Sequence, residues 1–339
     1  MSEQLVSAPR YTLLDTMDYV RDLVAAIKSA KRSINMIALV IREDDDTRPI
    51  IDALCEASRR GVNVSIGTDV YFTYKELGAR VSRLGYLRQQ LRDMRNTKRR
   101  LEAAGATVRW LGAFGATFIS HRTHIKWSII DDTVYCFCGV NIYDAAFVNN
   151  DFMLKAENKR LAERLRTEHE LVLAADKIHR SYPSHSISID GTDIIHIDGG
   201  RLFNSLIYKR ACTLAEEAKH TIYVSQYCPT GRLARILRRK KSQVFYNSWQ
   251  NVEGWWDSTL IRLSMFFSKI PTLYTKQQYL HAKFILFYMD DGSVVTITGS
   301  HNFTSGNELA GAREVALETR TPHTIQQLEK FLRDVVVGK

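Results

Sequence analysis

The stretch HRTHIKWSIIDDTVYCFCGVNIYD, His121 to Asp144, decides how this chain is read. Two β-rich runs flank an Asp-Asp turn, with His124 and Lys126 opening the first run and Asn141 following the second. Residues two apart on a strand project from the same face, so the spacing predicts an imidazole and an ammonium group side by side. One such H-x-K proves little, because 10 histidines and 17 lysines in 339 residues give roughly half a copy by chance. A second copy in the same context carries the weight. In YLHAKFILFYMDDGSVVTITGSHNFT, Tyr279 to Thr304, His281 and Lys283 open an apolar run, an Asp-Asp-Gly turn follows, and the next run ends in Gly299, Ser300 and Asn302.

The repetition extends outward from the motifs. MDYVRDLVAAIKSAKRSINMIALVI places Val20, Leu23, Val24, Ile27 and Ala30 at helical spacing before a β-rich run from Ser33 to Ile41, and a helix closed by Gly61 then feeds a strand from Val62 to Ile66. The same order returns in EEAKHTIYVSQYCPTGRLARILRRKKSQVFYN, where Ala218, Lys219, Thr221 and Ile222 lie 188 residues beyond Ala30, Lys31, Ser33 and Ile34. The H-x-K copies are only 157 apart, so the first half carries about 31 extra residues before its motif. Helices alternating with strands in both halves predict an α/β sandwich in which two duplicated α/β/α units pack as a pseudo-dimer. We place the first unit at residues 1–175, a Ser- and Gly-rich connection with a short hairpin at 176–200, and the second unit at 201–339.

The extra chain contains a helix whose Leu84, Leu87, Leu91, Met94 and Leu101 keep one face apolar, with Arg88, Arg92, Arg95 and Arg99 in a stripe beside it. It reads either as a packed helix with a solvated basic flank or as a helix that meets anionic headgroups or a phosphate backbone. The formal net charge of +10 favours such polyanionic partners without choosing between them. No apolar run reaches the ~18 residues a spanning helix needs. Five scattered cysteines and an N-terminus without a signal-peptide layout predict a reducing cytoplasmic setting, with any membrane contact peripheral, on the inner face. Cys136 and Cys138 alternate on a strand and read as packing residues.

Two imidazoles, two ammonium groups and the amides of Asn141 and Asn302 converging on one cleft suit a phosphodiester anion. The lysines and asparagines would hold its non-bridging oxygens, where charge grows in the transition state. One histidine would attack phosphorus and the other protonate the departing alkoxide. Neither motif has the ligand spacing of a metal site, so no metal and no cofactor is expected. The competing reading is two structural histidines with coincidental lysines.

These residues resemble the phospholipase D superfamily, whose signature is H-x-K-x4-D followed by G-[GS]-x-N. The first copy fits as His124, Lys126 and Asp131; in the second, Tyr288 stands where the acid belongs and the acids come at Asp290 and Asp291. IIDALCEASRRGVNV is similar to the opening of bacterial cardiolipin synthases, as is CGVNIYDAAFVNND, in which Cys138 replaces a glycine. The resemblance implies metal-independent chemistry through a phosphohistidine, an architectural Asp131, His124 as nucleophile and His281 as general acid. It also implies that Asp151 and Glu314 orient the imidazoles. The substrate class stays open between phospholipid, by hydrolysis or by phosphatidyl transfer as in cardiolipin synthesis, and nucleic acid, as in a nuclease. A non-catalytic adaptor for anionic surfaces is the third class. The cluster Trp249, Trp255, Trp256, Phe266 and Phe267 fits an acyl groove or interfacial anchor, core packing, or base stacking beside Arg232, Arg235, Arg238 and Arg239.

Overall fold

A computed structural model describes residues 10–70, 84–112, 122–189, 191–252 and 255–338. The first half runs β1 (Thr12–Asp15), α1 (Thr16–Ser29), β2 (Ser33–Ala38), α2 (Arg48–Arg59), β3 (Asn63–Asp69), α3 (Leu84–Ala103), β4 (Thr107–Leu111), β5 (Trp127–Ile130), β6 (Thr133–Cys136), α4 (Asp144–Phe147), β7 (Phe152–Glu157) and α5 (Lys159–Lys177). The second runs β8 (His185–Ser188), β9 (Asp193–Gly199), α6 (Leu206–Glu217), β10 (His220–Val224), α7 (Gly231–Arg239), β11 (Gln243–Phe245), α8 (Trp255–Ser268), β12 (Phe284–Tyr288), β13 (Val294–Gly299), α9 (Ser305–Ala310), β14 (Arg313–Thr319) and α10 (Pro322–Phe331). The helical periodicity read at Val20, Leu23 and Ile27 is the buried face of α1, which starts where Asp15 accepts the Asp18 amide at 2.8 Å.

Two seven-stranded sheets result, in the orders β1-β7-β6-β5-β2-β3-β4 and β8-β9-β14-β13-β12-β10-β11. Six strands correspond in position, β1 to β9 through β3 to β11, so the duplication read from the 188-residue offset is a duplication of topology. The first sheet adds β4 at one edge, reached through the extra chain that contains α3, and the second adds β8 at the opposite edge. The hairpin expected between the halves is β8–β9. It is built into the second sheet, where β9 pairs with β14 over all seven of its residues.

One core lies between the sheets and contains Ile129, Phe152 and Leu154 from the first, Phe284, Leu286 and Val315 from the second, and residues of α5 and α10. Phe152, Phe284 and Phe331 meet there with ring centroids 5.0–6.3 Å apart, edge-on or tilted as the ring quadrupoles favour. The outer faces are covered separately: α1 and α2 pack on the first sheet and α6 and α7 on the second. The halves therefore share an apolar interior, and the sheet ends that carry the motifs are fixed relative to each other.

Asp131 shows why the first motif ends in an acid. Its carboxylate, carried on a residue at φ 48°, accepts the backbone amides of Lys31, Arg32 and Ser33 at 2.8–3.0 Å, tying the β5–β6 turn to the α1–β2 connection. In the second half the Lys219 amide donates instead to the backbone carbonyl of Tyr288 at 2.8 Å. An Asp131→Ala variant leaves three amides to water at a partly buried turn, so its urea midpoint should fall by the equivalent of roughly 1–3 kcal/mol. Turnover of the folded fraction should stay within about threefold, since the carboxylate acts on the turn and not on the site.

Candidate active site

His124 and Lys126 were expected on a strand; they precede β5, and His281 and Lys283 precede β12 in the same way. The reason is that each lead-in pairs with the other half and not with its own sheet. His124 N–H donates to the Arg313 carbonyl at 2.9 Å and Arg313 N–H to that of Arg122 at 2.6 Å. On the pseudo-symmetric side, Asn150 N–H donates to Tyr279 at 2.8 Å and His281 N–H to Asn150 at 3.0 Å. The extended backbone is kept, so the two-residue alternation survives. Each lysine folds back on its histidine, Lys126 Nζ donating to the His124 carbonyl at 3.1 Å and Lys283 Nζ to that of His281 at 2.6 Å.

Because the lead-ins cross over, the carboxylates do too. His124 Nδ1 bonds Glu314 Oε2 at 3.0 Å, and His281 Nδ1 bonds Asp151 Oδ2 at 2.6 Å. Each imidazole is thus oriented by an acid from the opposite half, and all eight residues, the two histidines, two lysines, two asparagines and two acids, are buried. With Nδ1 committed to a carboxylate, chemistry on either ring would fall to Nε2.

Burial pulls the His124 imidazole down to about 4, with Lys126 and Lys283 adding to the fall and Glu314 opposing it. His281 is lowered by the same cause, followed by Lys283. Burial would raise Glu314, but His124, His301 and the Ser300 hydroxyl outweigh it and hold the acid at about 2. Asp151 is likewise lowered against burial, chiefly by His281 and Lys283. The resting arrangement is a neutral imidazole beside an ionised carboxylate in both pairs. Each imidazole also feels the lysine of the other copy, which places all four groups in one field.

The turns after β6 and β13 close the site. A Cβ on Gly139 would stand 2.6 Å from His281 Nδ1 and 2.7 Å from Asp151 Oδ2, so only glycine lets this turn approach the pair. Ser300, at the matching place, donates to Glu314, while Cys138, read as a packing residue, donates its thiol to Asp151 Oδ1 at 3.1 Å. The asparagines differ. Leu39 N–H donates to Asn141 Oδ1 at 3.2 Å, and β2 ends at Ala38, short of the expected Ile41, because the chain turns here toward the site. Among the described residues neither Asn302 Oδ1 nor Gln226 Oε1 has a hydrogen-bond partner, although both residues are buried. Gln226 and Asn247 escape a sequence reading. Asn247 braces the second lead-in, accepting from Leu280 N–H and donating to the Leu280 carbonyl, both at 2.8 Å, and its amide also reaches the Gln226 carbonyl at 3.0 Å. No periodicity or motif marks either residue.

His301, next to Asn302, is buried and held by Phe303 N–H at 2.7 Å; His121 lies outside the described residues. Arg92, Arg95 and Arg99 are exposed along α3 while Met94 and Leu101 are buried, and the Arg88 side chain lies outside the described residues. The core reading of the aromatic cluster is overturned for Phe266 and Phe267, whose rings are 74% and 75% exposed.

Two outcomes follow from this geometry. Gly139→Ala should still fold, at a cost of roughly 1–3 kcal/mol for the overpacked turn, and lose about 100-fold or more in kcat, because a shift near 1 Å at a reacting imidazole costs that much. Acidification should destabilise the protein through its buried neutral histidines. His124, His169 and His301 are each held at about 4 by burial, so between pH 6.5 and 4 the unfolded chain takes up protons that the folded chain refuses. Asp198, raised by burial to about 7, keeps one proton in the folded state over that window and offsets one of the three. Urea unfolding should lose roughly 2–3 kcal/mol per pH unit there, and His301→Asn should flatten the slope.

The fold has counterparts among solved structures. Phosphatidylserine synthase of Haemophilus influenzae Rd KW20 aligns over 96% of this chain and 88% of its own, at 13% identity and a TM-score of 0.66. Polyphosphate kinase of Porphyromonas gingivalis aligns over 96% of this chain and 51% of its own, at 13% identity and a TM-score of 0.58. No curated protein sequence matches the chain. Residues 23–172, which contain the first motif, match the family described as the PLD-like domain of cardiolipin synthase. By that match the first half belongs to the phospholipase D superfamily, and the second half builds the same strand order and histidine–lysine–asparagine set again.

Proposed function

We propose that this protein is a phosphatidyltransferase that moves a phosphatidyl group between alcohols through a phosphohistidine, in the manner of a cardiolipin synthase. The observation that carries the reading is the crossed pairing of His124 with Glu314 and His281 with Asp151, which makes one site from two halves. His124 Nε2 attacks phosphorus, forming a P–N bond as the P–O bond to the first alcohol breaks, and His281, as imidazolium, gives its Nε2 proton to the departing alkoxide. The bound phosphodiester anion supplies the negative charge that raises His281 from its lowered resting state and allows it to carry that proton. In the second step His281 takes the proton of the entering hydroxyl, the oxygen attacks phosphorus and the P–N bond breaks. Lys126 and Lys283 hold the non-bridging oxygens, and the amides of Asn141 and Asn302 complete the cradle.

The two orphaned acceptors, Asn302 Oδ1 and Gln226 Oε1, suit the hydroxyl donors of a glycerol-type alcohol, whereas the filled Asn141 Oδ1 suits a fixed phosphate seat. Among the described residues no helix is long and apolar enough to cross a bilayer, so the enzyme reaches its lipid from the surface. The exposed Arg92, Arg95 and Arg99 of α3 add on the order of 1 kcal/mol each near an anionic leaflet.

Phosphatidylglycerol supplied alone should yield diphosphatidylglycerol and free glycerol, with activity retained in excess EDTA. His124→Ala and His281→Ala should each lower turnover by about four orders of magnitude or more, since the two rings act as a unit. Acid-quenched labelling of His281→Ala should show a phosphoryl adduct on His124; an adduct on His281 in His124→Ala would reverse the roles. Vesicles left intact while single-stranded DNA is cut without metal would replace the lipid reading with a nuclease.

A further inference from the structure

Helix α8 is apolar on two sides. Ile261 faces inward and is 1% exposed, yet Leu260, Leu263, Phe266 and Phe267 are 41%, 48%, 74% and 75% exposed. At 100° per residue these four fall within about 120° of one another, a continuous outward stripe. The two phenyl rings pack edge-on at 5.4 Å, so the stripe is ordered and not a set of isolated side chains. Beside it runs α7, whose inner face buries Leu233, Ile236 and Leu237 and whose outer face is arginine at 232, 235, 238 and 239. Arg239 pairs with Glu216, and no carboxylate among the described residues pairs with Arg232, Arg235 or Arg238. A groove of about 450 Å³ lies between the helices, lined by Thr230, Arg235, Arg238, Leu263 and Phe267 among others.

One end of the groove touches the segment that follows Asn302. Thr230 Oγ1 lies 2.9 Å from Ser305 Oγ and accepts the Ser305 amide at 2.8 Å, three residues beyond Asn302. An apolar stripe of this size on a folded protein marks a surface that is covered when the protein works. Its arginine border decides by what. A second copy packed face to face across a two-fold axis would set the guanidinium groups of one α7 near those of the other, which repel. A bilayer offers apolar depth and phosphates at its edge, in the order in which α8 and α7 present phenyl rings and guanidinium groups.

We propose that α7 and α8 form the surface by which this protein docks on an anionic phospholipid bilayer. Leu260, Leu263, Phe266 and Phe267 enter the interface, Arg232, Arg235 and Arg238 take headgroup phosphates, and the Thr230 end of the groove presents the site to the lipid. The proposal rests on the lipid reading above and adds the element that inserts.

Flotation of the full chain with phosphatidylcholine vesicles, with and without phosphatidylglycerol, tests it. Binding should require phosphatidylglycerol, and both Phe266→Ser/Phe267→Ser and Arg235→Gln/Arg238→Gln should weaken it by about tenfold or more. Thermal midpoints and turnover of the soluble diester bis(p-nitrophenyl) phosphate should stay within about twofold of wild type, because neither pair touches the imidazoles. His124→Ala/His281→Ala should still float, which separates docking from catalysis. Loss of flotation in the surface variants together with a wild type that leaves phosphatidylglycerol unconsumed would keep the docking surface and remove the transferase reading. Unchanged flotation of Phe266→Ser/Phe267→Ser would overturn the proposal. So would a wild-type dimer in sedimentation that this variant abolishes, or single-stranded DNA binding that is lost in place of vesicle binding.

Discussion

The hydrogen bond between an imidazole of one half and a carboxylate of the other is the contact on which the site depends. A buried carboxylate is costly unless it is hydrogen-bonded, and a hydrogen bond to a charged group is worth roughly 1.5–3 kcal/mol. Glu314 and Asp151 are therefore stable in the interior only while the halves are docked, and the histidines hold a single tautomer only while the acids are there. Packing of Phe152, Phe284 and Phe331 between the sheets supplies the rigid frame, and the backbone bonds at Arg313 and Asn150 set the register. Folding and assembly of the reactive centre are thus one event, and neither half alone contains an oriented imidazole.

Much of this is legible in the sequence because it is periodic or repeated. The helix at Val20, Leu23 and Ile27, the strands around each turn and the 188-residue offset follow from spacing alone, and they are enough for two similar sheets. The paired H-x-K residues and Asn141 and Asn302 are legible because they recur. The crossing of the acids is not, since a sequence places Asp151 near His124 along the chain and says nothing of which imidazole it faces. Pairing across halves is a property of the lead-ins, which read as strand because extended backbone has the same two-residue alternation whether or not it joins its own sheet.

The unread part of the site consists of residues whose role is set by tertiary contact. Gln226 and Asn247 are ordinary polar residues in a loop sequence, and only the fold brings Ser225, the neighbour of Gln226, onto the Asn302 carbonyl and Asn247 against Leu280. Cys138 looks like a strand packing residue because it alternates with Cys136; its thiol nonetheless points at Asp151. Phe266 and Phe267 mislead for a related reason. Aromatic clusters are buried more often than not, and periodicity cannot say that α8 already has an inner face in Ile261 and turns these rings the other way.

The substitution of a backbone carbonyl for the Asp131 carboxylate has a consequence for inheritance. In the first half the three amides of the α1–β2 connection depend on one side chain, and a change at 131 to a residue without an acceptor oxygen removes their partner. In the second half the carbonyl of Tyr288 is supplied by whatever residue stands there, so no missense change can delete it, except by altering the path of the chain. A search that demands the acid finds one copy of the unit where the polypeptide has two, and the half that looks degenerate is the one whose brace does not depend on a side chain.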